Sequence, residues 1–210
     1  MPTRTEHVHS EMQLAYDVFN RDLFGGQLPP CLIRIQPKAR TYGYVRGQRW
    51  NGESGEMTAE IILNPAHCAE RPAQEVLSTL AHEMTHLWQH HFGKPSRIGY
   101  HNREWADKMT AIGLCPSHTG ETGGKRTGQR MSHYVIAGGA FAKTSADLLA
   151  QGVAESWRDW AMASRANGPE PKKNASRCKY MCILCGLNVW AKPNISLYCG
   201  ACELELLASG

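Results

Sequence analysis

The sequence predicts an α+β fold carrying two separate metal sites, and three observations carry that reading. The first is His82-Glu83-Met84-Thr85-His86, an H-E-x-x-H pattern inside a stretch of helical periodicity. The second is a set of short strand-like runs on its N-terminal side, Cys31–Gln36, Thr41–Val45 and Thr58–Leu63, separated by turn residues. The third is a pair of C-x-x-C knuckles near the C-terminus, Cys182/Cys185 and Cys199/Cys202, with thirteen residues between them.

The N-terminal segment 6–24 places Val8, Met12, Ala15, Tyr16, Phe19 and Leu23 at helical spacing, and Gly25-Gly26 closes it. Leu28-Pro29-Pro30 turns the chain into the strand candidates, and Gly47–Gly55 reads as a polar loop. From Pro72, suited to a first helical turn, the residues Val76, Leu77, Leu80, Ala81, Met84, Leu87 and Trp88 recur on one face up to Phe92. Gly93 and Pro95 then end that helix.

On such a helix His82 and His86 lie about 5.4 Å apart on one face, so both imidazoles reach one metal ion. Glu83 projects beside them as general base toward metal-activated water. A catalytic zinc needs a third protein ligand and one open position. His90 lies about 12 Å along the axis from His82, too far to share an ion held at about 2.1 Å. His101 is better placed, after a turn-rich stretch and opening a second helix through Trp105, Ala106, Met109 and Ile112 that Gly113 ends. Glu104 is the alternative ligand.

These residues resemble the SprT-like family of zinc metallopeptidases. The likeness rests on Ala81-His82-Glu83-Met84-Thr85-His86, with His101 fifteen positions on in His101-Asn102-Arg103-Glu104-Trp105. It extends to Tyr16, Phe19-Asn20, Leu23 through Pro29, Gly43-Tyr44 and Ile61-Ile62-Leu63-Asn64. It covers about residues 8–135 and resumes at the C-terminal cysteines. The resemblance implies a minigluzincin-like core, a histidine third ligand that maps onto His101, and cytoplasmic or nuclear proteolysis. Relatives include proteases acting on DNA-bound and DNA-crosslinked proteins.

Downstream, residues 116–130 are rich in Gly, Ser and Thr with Lys125, Arg126 and Arg130, and a mobile basic loop is expected there. Met131–Ile136 reads as a strand; His133 on it is an ordinary polar residue or a contact to ligand or substrate. Tyr134 and Tyr100 are both candidates for a hydroxyl aimed at a developing oxyanion. Thr144–Ala166 is expected to be helical, capped by Thr144 or Ser145, with Trp157 and Trp160 packed on the main domain. A linker follows at Asn167–Ser176.

The four knuckle cysteines predict a Cys₄ structural zinc, with Leu187–Lys192 and Ile195–Tyr198 as two strands joined at Pro193-Asn194. Cys178 is read as a spare thiol; Cys31, Cys68 and Cys115 are read as small buried residues. The organisation is therefore a metallopeptidase core at 1–137, a helical segment and linker at 138–177, and a zinc ribbon at 178–210. The expected cofactors are two Zn²⁺, one catalytic and one structural.

Charge bounds the partners. Residues 1–115 carry 12 Lys+Arg against 12 Asp+Glu, whereas residues 116–210 carry 11 against 7. Between Pro171 and Cys202 stand Lys172, Lys173, Arg177, Lys179 and Lys192, with no acid. DNA, especially single-stranded, is thus a candidate partner beside a protein substrate. No apolar run is long enough to span a membrane, and Met1–Ser10 lacks an apolar signal core, so a cytoplasmic or nucleoid-associated protein is expected. Two other classes compete with a peptidase acting on DNA-associated proteins. One is a non-catalytic zinc protein that binds nucleic acid or a transcription or repair partner through its ribbon. The other is a zinc hydrolase of a non-peptide substrate.

Overall fold

The computed structural model describes residues 4–36, 41–51, 57–64, 71–153, 156–157 and 178–209. It is mixed α+β, with four named helices and small sheets. The chain divides into two compact units, Met1–Ala166 and Asn167–Gly210.

In the first unit, α1 (Arg4–Phe24) buries the stripe Val8, Met12, Ala15, Tyr16 and Phe19. Its end is tied down by Asn20, whose side-chain amide donates to the Leu28 carbonyl and accepts from the Leu28 N–H, both at 3.0 Å. The Tyr16 hydroxyl donates to the Pro29 carbonyl at 2.6 Å. These bonds deliver the chain into β1 (Cys31–Ile35).

With β2 (Gly43–Asn51) and β3 (Met57–Leu63), β1 forms a sheet of order β1-β3-β2. β1 runs parallel and β2 antiparallel to the central β3. The register sets Cys31 against Ala59 and Ile33 against Ile61, and alternation puts Ala59, Ile61 and Leu63 into the core. β2 is longer than its sequence suggested. It continues past Val45, across a register irregularity between Arg46 and Trp50, so part of the expected loop 47–55 is strand.

α2 (Ala73–Phe92) buries Val76, Leu77, Leu80, Ala81, Met84 and Leu87 against this sheet and α1. Each of these side chains except Ala81 contributes about 1.5–3 kcal/mol on burial. Gly93 follows in extended conformation (φ −123°) rather than a left-handed cap. A Cβ there would collide with the Glu104 carboxylate, so glycine is required for room. α3 (Arg103–Ala111) starts two residues after His101, with Asn102 as N-cap accepting from the Trp105 N–H at 3.0 Å. β4 (Leu114–Ser117) and β5 (Ser132–Val135) pair antiparallel.

α4 (Ala140–Ala150) differs from expectation at both ends. It begins after Gly139, four residues before Thr144, and stops at Ala150. The stop is a Schellman closure, in which Gly152 (φ +81°) donates to the Leu149 carbonyl and Val153 to that of Leu148. Phe141, Leu148, Val153 and Trp157 join the core with α1. Trp160 and the linker 167–176 lie outside the described residues, as does Cys68.

In the second unit, β6 (Cys178–Met181) and β7 (Asn188–Ala191) form one hairpin, and β8 (Tyr198–Cys199) and β9 (Leu204–Glu205) a second. β10 (Leu207–Ser209) adds to β6. The two strands expected to pair with each other across Pro193-Asn194 instead belong to different hairpins. A knuckle needs a tight turn, and a hairpin tip supplies it, so each C-x-x-C closes its own hairpin. Among the described residues no helix is long and apolar enough to cross a membrane.

Candidate metal centres and cleft

The ligand atoms of His82, His86 and His101 come within 4.8 Å of one another. The Nε2 atoms of His86 and His101 are 3.0 Å apart. Nitrogens sharing one zinc at about 2.1 Å in a tetrahedral set would stand about 3.4 Å apart, so the cage matches such an ion. His101 is brought in by two backbone bonds with Gly128, His101 N–H to the Gly128 carbonyl at 2.8 Å and Gly128 N–H to the His101 carbonyl at 3.1 Å. Its Nδ1 also meets the Gly128 carbonyl at 3.2 Å, which leaves Nε2 free to ligate. Residues 116–130 are therefore not a loose loop. Arg126 adds an anchor on α3 by donating to Thr110 Oγ1 at 2.9 Å, and Lys125 N–H donates to His118 Nδ1 at 2.9 Å.

Trp105 forms the floor of the cage, its ring 4.8, 5.2 and 4.4 Å from those of His82, His86 and His101. Its buried indole N–H has no hydrogen-bond partner among the described residues. Burial strips water from the imidazoles and disfavours their charged forms. His82 lies well below its ordinary value through desolvation and then the neighbouring His86, His133 and His101. His86 is pushed down to about 3 by desolvation and then His101, and His101 is lowered by desolvation. All three are thus neutral at pH 7, the form that binds metal.

Glu83 is buried beside them and lines the same cleft. Desolvation raises its carboxyl to about 8, a direction that a nearby dication opposes. Three neutral imidazoles at the wall of the cleft fit a zinc ion as ligands.

The cleft measures about 720 Å³. Edge strand β2 gives it Gly43, Tyr44 and Val45; β5 and the residues before it give Arg130, Met131 and His133. Among the described residues that line it, Glu83 is the one acidic side chain. Tyr42 and Tyr44 face it, whereas Tyr100 and Tyr134, the two hydroxyls the sequence suggested, are not among its walls. Glu104 is committed elsewhere. Its Oε2 accepts from Gln89 Nε2 and from the Lys94 N–H, both at 2.7 Å. Those bonds, Gln89 first, hold its carboxyl below the ordinary value.

Several contributors have no motif. Gly128 acts through its carbonyl, Gly43 through its lack of a side chain, and Gln89 by joining two helices. Ser78 and Gln89 stand four before His82 and three after His86, so helical spacing alone places them beside the ligands.

The second cluster gathers Cys182, Cys185, Cys199 and Cys202 within the same 4.8 Å limit. Cys185 Sγ and Cys199 Sγ are 3.6 Å apart. Backbone N–H groups of Cys185 and Leu184 lower the Cys182 thiol to about 7, favouring the thiolate a metal takes. Gly186 (φ +72°) turns the first knuckle, while Glu203 (φ +54°), not Gly200, is the left-handed residue at the second. Four thiolates at this spacing fit a structural zinc. Cys178 pairs across from Ala191 on β6 and stands outside the four.

The family model described as SprT-like family matches residues 12–124. A curated protein of Salmonella typhimurium, described as "Uncharacterized protein in mucB 3'region", is similar to this chain. It is 50% identical over 58 residues, which cover 27% of this chain and 78% of that protein.

Proposed function

The chain belongs to the SprT-like family, a metallopeptidase-like family, and on that premise we propose that it is a zinc-dependent endopeptidase acting on DNA-associated proteins. The observation that carries the peptidase part is the placement of Glu83, buried and at the cleft wall next to three convergent neutral imidazoles. We read Met1 to residue 137 as the minigluzincin-like catalytic core, 138–177 as helical segment and linker, and 178–210 as a zinc ribbon in a cytoplasmic protein.

His82, His86 and His101 would hold the catalytic Zn²⁺, and Cys182, Cys185, Cys199 and Cys202 the structural one. The catalytic ion supplies a lowered pKa for water and a Lewis acid for the peptide carbonyl. Glu83 takes a proton from water as the water oxygen bonds to the carbonyl carbon. It then delivers a proton to the amide nitrogen as the C–N bond breaks, so the proton ends on the departing amine. Burial favours the first transfer, because a carboxylate whose pKa is raised is the stronger base and takes the proton from water more readily. The edge of β2 presents backbone groups along the cleft where an extended substrate lies.

The DNA part is supported by the basic, acid-free stretch between Pro171 and Cys202 and by the exposed Trp190 and Tyr198 of the ribbon. Glu83→Gln keeps shape and metal but cannot take the proton. With zinc loaded, its cleavage of a DNA-binding protein should fall by roughly 10² or more against wild type. The comparison is run with and without single-stranded DNA. Stimulation by DNA that vanishes in the variant supports both parts, and equal cleavage without DNA removes the DNA part. Full activity in Glu83→Gln removes Glu83 as the base, and DNA binding by a zinc-loaded wild type that cleaves nothing replaces the peptidase with a non-catalytic zinc protein.

A further inference from the structure

We infer that His133 is a positioning residue that fixes the tautomer and orientation of His82 through a hydrogen-bond chain returning to the helix that carries His82. The inference rests on the metal-site reading but not on peptide cleavage. His82 Nδ1 lies 3.2 Å from His133 Nδ1, and His133 Nε2 lies 2.8 Å from Ser78 Oγ. The Ser78 hydroxyl in turn donates to the Glu75 carbonyl at 2.8 Å.

The direction of every link follows from the last one. A backbone carbonyl only accepts, so the single Ser78 hydrogen points at Glu75. Ser78 Oγ then accepts from His133 Nε2–H. A neutral imidazole protonated on Nε2 is bare on Nδ1, and that lone pair accepts from His82 Nδ1–H. His82 is left with a bare Nε2, the atom it offers to an ion. The result repeats the arrangement at His101, where Gly128 occupies Nδ1 and Nε2 faces His86.

The chain is built to stay. Glu75, Ser78 and His82 share one face of α2 at spacings of three and four, and His133 enters from β5 between them. Ser78 is 2% exposed, so water does not compete for the outer link. His133 itself stays outside the ligand group formed by His82, His86 and His101. An imidazole in this place also accepts the His82 hydrogen without adding a second anion beside buried Glu83, as a carboxylate would.

The test measures zinc affinity on the full chain by competition with a chromophoric chelator, the ribbon zinc serving as internal reference. His133→Leu removes both links at similar volume; His133→Asn places its side-chain oxygen near the former Nδ1. His133→Leu should weaken the histidine centre roughly 10- to 100-fold and leave the ribbon zinc unchanged, and His133→Asn should recover most of that loss. Ser78→Ala, which cuts only the outer link, should fall between. With Co²⁺ in the histidine centre, the visible bands should shift in His133→Leu and return in His133→Asn. Wild-type affinity in His133→Leu overturns the inference, as does an equal loss in both His133 variants. No cleavage by the zinc-loaded wild type together with weakened zinc in His133→Leu would sink the peptidase and leave this positioning role standing.

Discussion

Gly43 leaves the room that the Glu83 carboxyl occupies. A Cβ on Gly43 would come within 3.2 Å of Glu83 Oε1 and 3.1 Å of the Ile62 carbonyl. The sheet backbone cannot give way cheaply, so the Glu83 side chain must. Gly43→Ala should therefore displace the carboxylate while leaving all three imidazoles in place. Turnover should drop roughly tenfold or more with zinc content unchanged, since small misplacements of a reacting group are costly. Wild-type turnover in that variant would show that the carboxylate moves aside without consequence. At this scale the sequence revealed what periodicity reveals. His82 and His86 share a helix face by spacing, and Ser78 could have been placed the same way. His133 could not, because its partner lies 51 positions away and only the β4–β5 pairing brings it there.

At the scale of elements, the problem is to hold a ligand on one helix and a ligand before another within bonding reach of one ion. The turn between α2 and α3 carries no apolar anchor of its own, and Ile98 in it is 98% exposed. A polar clamp does the holding. Gln89 Nε2 donates to Asn102 Oδ1 and Glu104 Oε2, both at 2.7 Å, and Asn102 Nδ2 donates to the Lys94 carbonyl at 3.0 Å. Gln89 is 3% exposed, so truncating it strands acceptors that water reaches poorly. Gln89→Ala should cost about 1–3 kcal/mol, seen as a fall in melting temperature, and should weaken zinc at the histidine centre. Unchanged melting and unchanged zinc would assign His101 to Gly128 alone. The clamp also accounts for an element boundary: Gly93 reads as a helix stop, yet its job is to clear Glu104. The later start and longer run expected for α4 had a local cause too. Thr144 and Ser145 looked like caps, but both are buried within the helix, and Gly152 breaks it before helix returns at residues 156–157.

At the scale of the whole molecule, the two candidate metal centres stand in units of very unequal substance. The first unit has a continuous apolar core running from Val8 on α1 through Leu80 and Met84 on α2 to Trp157. The second has Tyr180 and Leu206 with two of its own cysteines. A core of that size cannot offset the entropy of ordering its residues, which runs at about 1–2 kcal/mol for each backbone position. On the zinc reading, four thiolates at knuckle spacing supply the difference through the ion they would hold. The first unit has no such need, because its histidines are held by Gly128, the clamp and Trp105 whether or not an ion is shared. Stripping metal from the full chain with a strong chelator should therefore act unequally. Amide hydrogen exchange should lose its protection across 178–209, while the strands and helices from Val8 to Leu148 keep theirs. Returning zinc should restore the second unit. Protection retained over 178–209 after both ions are gone would mean that the ribbon is held by something other than its metal. Collapse of both units together would mean that the histidine centre, too, is a folding site.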